Sequence, residues 1–189
     1  LDKLTQEKNS EWIDRYLEHR DFDLSTNEEN ISFLSSVNRP FTDRSNKFRG
    51  CLLGLAIGDA LGTTLEFTNR DSSPEVIDII GEGPFNLQTG KWTDDTSMML
   101  CSLISILSTE KFDPETHMNN FLLWRNHGFC SATGKCFDIG NTVNSALNKF
   151  EETGNPYSGS ENSMSSGNGS LMRLAPDILV AQGNIEKTI

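Results

Sequence analysis

Gly90-Lys-Trp-Thr-Asp-Asp-Thr96 is the segment of this sequence best equipped to do chemistry. It runs directly into an apolar stretch, Met98 to Leu107. Thr93 stands where a helix would be capped, with Asp94 and Asp95 in its first turn. There the helix dipole stabilises an acidic side chain by ~0.3–1 kcal/mol. That accounts for one carboxylate. Two adjacent carboxylates repel each other, and a nearby cation relieves the cost. Oxygen-only donors suit Mg²⁺, Ca²⁺ or Mn²⁺ rather than zinc. Neighbouring helical side chains point about 100° apart. The pair therefore suits two neighbouring ions, or one ion with a further ligand from elsewhere. On spacing alone, helix capping and metal binding stand level.

Three other segments carry candidate chemistry. Gly58-Asp-Ala-Leu-Gly62 is followed by Glu66. An Asp at the end of a small-residue helix, with a Glu one or two turns on, can bring two carboxylates into one cleft. Such a pair is what glycosidic bond cleavage uses. Alone, Asp59 as a cap and Glu66 as a surface residue is the simpler account. Phe137-Asp-Ile-Gly-Asn-Thr142 places Asp138 and Asn141 before a helical pattern, which is also an ordinary capping arrangement. Ser166-Gly-Asn-Gly-Ser-Leu-Met-Arg173 offers free backbone N–H groups running into a helix, a cradle for an anion or pyrophosphate. It lacks a Walker lysine, and no strand precedes it.

The elements that must position these groups read as helical. Phe48–Leu61, Asp94–Ser108, Pro114–Asn126, Thr142–Glu152 and Ser170–Gln182 carry helical patterns, and Asn184–Ile189 opens another. Gly50, Gly54 and Gly58 recur every four residues and form a ridge against which a second helix should pack closely. Glu75–Ile80 is the one short strand expected, and Thr153–Gly169 is a polar loop. Alternating runs are nearly absent, which predicts an all-α fold. Trp124, Phe121, Met98 and Met99 are expected in the core, and His117 and His127 partly exposed.

Residues 1–45 differ from the rest: acidic, poor in aliphatics and free of Gly. Ser10–Arg20 has helical spacing, a second short helix should end near Val37, and Arg39-Pro40 breaks it. This segment reads as an N-terminal extension before a domain at 46–189. It is either a solvated arm packed on that domain or a partner-binding arm. Trp12, Tyr16, Phe22 and Phe33 would be its anchors.

The 189 residues suit one domain with an appendage. Sixteen basic against 27 acidic residues give a net charge of −11, the wrong sign for a phosphate-backbone binder. The apolar stretches fall short of the ~20 residues of a membrane span. No basic-then-apolar leader opens the chain, which begins at Leu1, so no signal peptide is expected. Cys51, Cys101, Cys130 and Cys136 match no common zinc pattern and read as reduced thiols in a cytosolic protein.

Taken in order, the four motifs resemble those of the ADP-ribosylglycohydrolase family. The resemblance runs from about Phe48 to Ile189. It implies a compact all-α fold with a binuclear Mg²⁺ centre, Mn²⁺ being an alternative. It implies removal of ADP-ribose from modified protein side chains, most often arginine. Carried over by motif, Thr93, Asp94 and Asp95 are metal ligands. Asp59 supports that site and borders the substrate. Glu66 positions or activates water, and Asp138 contacts the ribose beside the scissile bond. Gly167, Asn168, Gly169 and Ser170 line the ADP-ribose cleft. The Asp-Ile-Gly sequence looks more like the bacterial arginine-specific branch than the serine-specific one. One motif departs. Family members carry a second metal motif, Asp-x-Asp-Thr/Ser, in their C-terminal half, and nothing here matches it. Asp21-Phe-Asp-Leu24 lies in the wrong half and lacks the Thr/Ser. The reading is that about half of a family domain is supplied elsewhere. The resemblance also admits an immunity protein whose residues 1–45 block an ADP-ribosyltransferase toxin.

Overall fold

Met98, Met99, Cys101 and Ile106 are almost completely shielded from solvent, and they explain why Asp94–Thr109 folds where it does. In the computed structural model, which describes residues 43–73 and 75–181, this helix is the central one. We number the α-helices in chain order: α1 is Asp43–Gly62, α2 Asp94–Thr109, α3 Pro114–His127, α4 Asn141–Thr153 and α5 Ala175–Ala181. Single 3-10 turns occupy Thr63–Leu65, Gly83–Phe85 and Asn168–Ser170. Among the described residues the only β pairing is an isolated bridge between Glu82 and Leu87. The fold is all-α.

Helix α2 packs against α1, α3 and α5, and α3 packs also against α4. From α3 come Met118, Phe121 and Trp124. Val143, Leu147 and Phe150 give α4 one buried stripe at helical spacing. Helix α3 starts sharply because Asp113 caps it: its carboxylate accepts from the Thr116 N–H, and Pro114 follows at the first position. It stops at Gly128, φ 71°, where a Cβ would lie 2.1 Å from the Gly134 carbonyl oxygen. Only glycine fits there.

Polar side chains lock the core helices together. The Ser105 hydroxyl of α2 lies 2.8 Å from His117 Nδ1 of α3, and His117 Nε2 lies 3.0 Å from Asp177 Oδ1 of α5. Asn120 Nδ2 donates to the Cys101 carbonyl at 3.1 Å.

Four expectations need correction. His117 is buried, because three helices meet on its ring; the surface position belongs to His127 alone. Glu75–Ile80 is irregular, not a strand: it follows Pro74 in sequence, Ile77 is 85% exposed, and the segment pairs with no strand among the described residues. The stretch from Ser170 is not one helix but a 3-10 turn, a further turn and the short α5, where Pro176 favours a fresh start. The Gly50, Gly54 and Gly58 ridge is exposed, and no described atom lies within 4 Å of a Cβ built on any of the three. Leu53 and Ile57 of the same helix are 60% and 55% exposed.

The other core assignments match: Trp124, Phe121, Met98 and Met99 are buried. All four cysteines are free thiols. The expected helices within 1–42, the arm anchors Trp12, Tyr16, Phe22 and Phe33, and the helix opening at Asn184 lie outside the described residues.

Candidate active site

The site is built on the N-terminus of α2. Thr93 occupies the N-cap position, yet its side chain makes no cap bond to its own helix. Its hydroxyl donates instead to Asp59 Oδ1 at 2.8 Å. Asp59, near the C-terminal end of α1, takes over the capping from another helix. It accepts the Thr93 N–H at 3.0 Å, the Thr96 N–H at 3.0 Å and the Thr96 hydroxyl at 2.6 Å. An unpaired helical N–H buried without a partner costs about 1–3 kcal/mol, so this one carboxylate fastens α1 to α2. Both Asp59 oxygens are thereby engaged, and their role in this structure is to orient Thr93 and Thr96.

With the helix start held this way, Asp94 and Asp95 enter the first turn of α2. Asp94 is buried and Asp95 partly so. Glu66 follows the 3-10 turn that ends α1, and Asp138 precedes α4. The carboxyls of Glu66 and Asp138 come close enough to perturb each other's ionisation. Asp138 has φ 58°, a left-handed conformation that is uncommon for a non-glycine residue and frequent at functional sites.

Burial and mutual repulsion disfavour ionisation throughout this group. Glu66 is pushed up to about 7, by burial first and then by Asp138, Asp95 and Asp59. Asp94 is pushed up to about 8, by burial and then by Asp138 and Asp95. Burial, followed by Asp59, raises Asp95. Burial also raises Asp138, while its hydrogen bond with Glu66 works the other way. Cys136 joins the rim: burial and the Asp94 carboxyl push its thiol up to about 11.

These residues fit an oxygen-seeking divalent cation by their chemistry. The donors are carboxylates and a threonine hydroxyl, four carboxyls crowd together, and Glu66 Oε2 is buried without a hydrogen-bond partner among the described residues. Among the described residues no three of these acids meet at single-ion spacing. A bound ion would draw side chains inward or take water as additional ligands.

Gly167, Asn168, Gly169 and Ser170 lie against the start of α4. A Cβ on Gly169 would fall 2.4 Å from Val143 Cγ2, and one on Gly167 3.0 Å from Thr142 Oγ1. The loop is thus seated where only glycine lets the backbone come so near. Beside it, a polar groove of about 560 Å³ runs along α4, lined by Asn141, Thr142, Ser145, Lys149, Ser158 and Glu161 among others. The N-cap of α4 is Gly140 without a side-chain cap, so the helix N-terminus stays open to an anion. Ser158 is 3% exposed, and its hydroxyl has no hydrogen-bond partner among the described residues.

The structure therefore gathers Asp59, Thr93, Asp94, Asp95, Glu66 and Asp138 around one helix start, with the Gly167–Ser170 loop against the neighbouring α4. Sequence reasoning assigned no role to Thr96 or Cys136. Thr96 had a signal in the symmetry of Thr-Asp-Asp-Thr, where both threonines donate to one carboxylate. Cys136 had none, because only packing brings it to Asp94.

A family model for ADP-ribosylglycohydrolase matches residues 40–189. A Pseudomonas putida (strain GB-1) protein named ADP-ribosylarginine hydrolase Tri1 is 49% identical over 131 residues, covering 69% of this chain and 35% of that protein. The protein of the same name from Serratia proteamaculans (strain 568) is 42% identical over 149 residues, covering 79% and 40%. The ADP-ribosyl-[dinitrogen reductase] glycohydrolase of Rhodospirillum rubrum is 32% identical, covering 71% and 45%. A solved structure described as an ADP-ribosylglycohydrolase-related protein complex matches with a TM-score of 0.62 at 39% identity, covering 73% of this chain and 44% of that one. The chain spans less than half the length of each of these relatives.

Proposed function

The chain belongs to the ADP-ribosylglycohydrolase family, and from that premise we propose that it supplies the N-terminal share of a hydrolase site that frees arginine side chains of ADP-ribose. The observation that carries the reading is the convergence of Glu66, Asp94, Asp95 and Asp138 at the start of α2, with a proton held near neutral pH. The arginine assignment draws on the names of the Pseudomonas and Serratia relatives and on the Asp138-Ile-Gly140 sequence.

The bond to be broken joins ribose C1″ to a guanidinium nitrogen. Its cleavage builds positive charge on the ribose, which a carboxylate beside it stabilises. Asp138 would do this and hold a ribose hydroxyl. Glu66, protonated for much of the time at pH 7, gives its proton to the departing guanidine nitrogen as that nitrogen takes the bonding pair. Water then adds to C1″ and returns a proton to Glu66. The balance is one water consumed, a hydroxyl on the ribose and a free guanidine. Thr93, Asp94 and Asp95 would hold Mg²⁺ or Mn²⁺, which when bound supplies positive charge that orients the ribose hydroxyls. The pyrophosphate fits the open N-terminus of α4 and the Gly167–Ser170 backbone, and the groove along α4 takes the nucleoside. Remaining ligands would come from the C-terminal half of a family domain.

The experiment is release of free ADP-ribose from an arginine-ADP-ribosylated protein, by this chain and by a version extended to the relatives' length. Each is run with Mg²⁺, with EDTA and with Asp94→Ala. Metal-dependent release abolished by Asp94→Ala supports the reading; metal-independent release, or none from the extended protein, rejects it.

A second role rests on the acidic segment 1–45, most of which lies outside the family match. This segment would occupy the active site of an ADP-ribosyltransferase toxin, making the protein an immunity factor with or without hydrolase activity. Deleting 1–45 separates the two. If toxin neutralisation survives the deletion and is lost with Asp94→Ala, blocking by the arm is not the mechanism.

A further inference from the structure

We propose that Phe67, at the end of an aromatic ladder with Phe85 and Phe137, is the face on which the guanidinium of the modified side chain stacks. The inference rests on the arginine reading and adds to it the residue that recognises the leaving group.

Phe67 directly follows Glu66, and Phe137 directly precedes Asp138. Phe85 joins them. Its ring centroid is 6.0 Å from that of Phe67 and 5.3 Å from that of Phe137, both pairs meeting edge to face at 74° and 62°. The two ends of the ladder are thus tied through the chain to the two candidate catalytic carboxyls, Glu66 and Asp138.

The ladder is held firmly. The Thr64 hydroxyl donates to the Gly81 carbonyl at 2.8 Å. A Cβ on Gly83 would lie 2.4 Å from the Thr63 carbonyl oxygen, so the segment carrying Phe85 touches the turn carrying Phe67 backbone to backbone. The Thr68 N–H donates to the Leu65 carbonyl at 3.0 Å and closes that turn over Phe67.

Two features of Phe67 call for a ligand. Its side chain is 78% exposed. Its φ is 57°, a conformation that a bulky side chain rarely adopts. Strain of this kind persists where surrounding structure holds a side chain in place for use. An aromatic face attracts a cation, and guanidinium, planar and weakly hydrated, is the side-chain cation that stacks best. A neutral leaving group such as a serine hydroxyl gains nothing from such a face.

The test uses the protein extended to the relatives' length. Its substrates are ADP-ribosylagmatine, with a guanidinium leaving group, and an ADP-ribosylserine peptide; agmatine and free ADP-ribose serve as inhibitors. Phe67→Leu is expected to raise KM for ADP-ribosylagmatine and the inhibition constant of agmatine by about three- to fivefold. The kcat, the inhibition constant of ADP-ribose, the thermal midpoint and any turnover of the serine substrate should stay unchanged. Phe67→Trp should restore agmatine affinity. The proposal is overturned if agmatine inhibition is unaffected by Phe67→Leu. It is equally overturned if the ADP-ribose constant and thermal midpoint move as much, which would mean that another part of the protein covers Phe67. Wild-type protein that releases nothing from ADP-ribosylagmatine while cleaving the serine substrate sinks the arginine reading itself.

Discussion

At the scale of single residues, Asp59 and Asp94 are two acids of one cluster with opposite duties. Asp59 is fully hydrogen-bonded and holds the start of α2. Asp59→Ala strips partners from two backbone N–H groups and two hydroxyls. It should destabilise the chain by about 2–3 kcal/mol in urea denaturation; an unchanged midpoint would show that water replaces the carboxylate without cost. Asp94 is buried among carboxyls and resists ionisation. For Asp94 and Glu66 the native pKa lies above the unfolded one, so the native state binds more protons than the unfolded state between the two values. Stability from these groups is therefore complete below about 4 and drains away as pH rises through about 7 for Glu66 and about 8 for Asp94. Metal-free protein should melt at progressively lower temperature from pH 5 to pH 8. Asp94→Asn should flatten that decline, and Mg²⁺ should reverse it at pH 8 by neutralising the cluster. A melting curve indifferent to both pH and Mg²⁺ would dismiss this account.

At the scale of elements, the site depends on how closely a loop can approach a helix. The Gly167–Ser170 loop sits against α4 because Gly169 has no side chain to strike Val143. Gly169→Ala should push the loop off α4 and weaken ADP-ribose binding roughly tenfold, as overpacking costs of 1–3 kcal/mol imply. Adding Val143→Ala should recover most of the loss by making room. Failure of the double variant to recover would place the effect elsewhere than at this contact. The Ser105, His117 and Asp177 chain works at the same scale. It ties α5, which follows the loop, to α2 and α3, so the loop is braced from both sides.

At the scale of the whole molecule, the described helices leave an apolar face open. Leu53 and Ile57 on α1 and Ile178 and Val180 on α5 are all at least 43% exposed. The relatives are more than twice as long as the stretch this chain matches. The 189-residue chain should bind an apolar-sensing dye, and the dye should be displaced when the C-terminal half of a relative is supplied in trans. Dye binding that is absent from the start would argue that these side chains are already covered. The sequence by itself determined which segments coil, because helical spacing and caps act over a few residues. Asp94–Thr109 and Pro114–His127 fall within a residue of their expected bounds. It also determined the order of the four motifs, and with it the family. Only the tertiary structure decided that Asp59 caps a helix beginning 34 residues later, that Glu66 comes close to Asp138, and that His117 lies buried between three helices. It alone exposed the glycine ridge that spacing had assigned to a buried contact. The reason is physical: a repeat along the chain says which side chains share a face. What that face meets is settled by the packing of segments far apart in sequence.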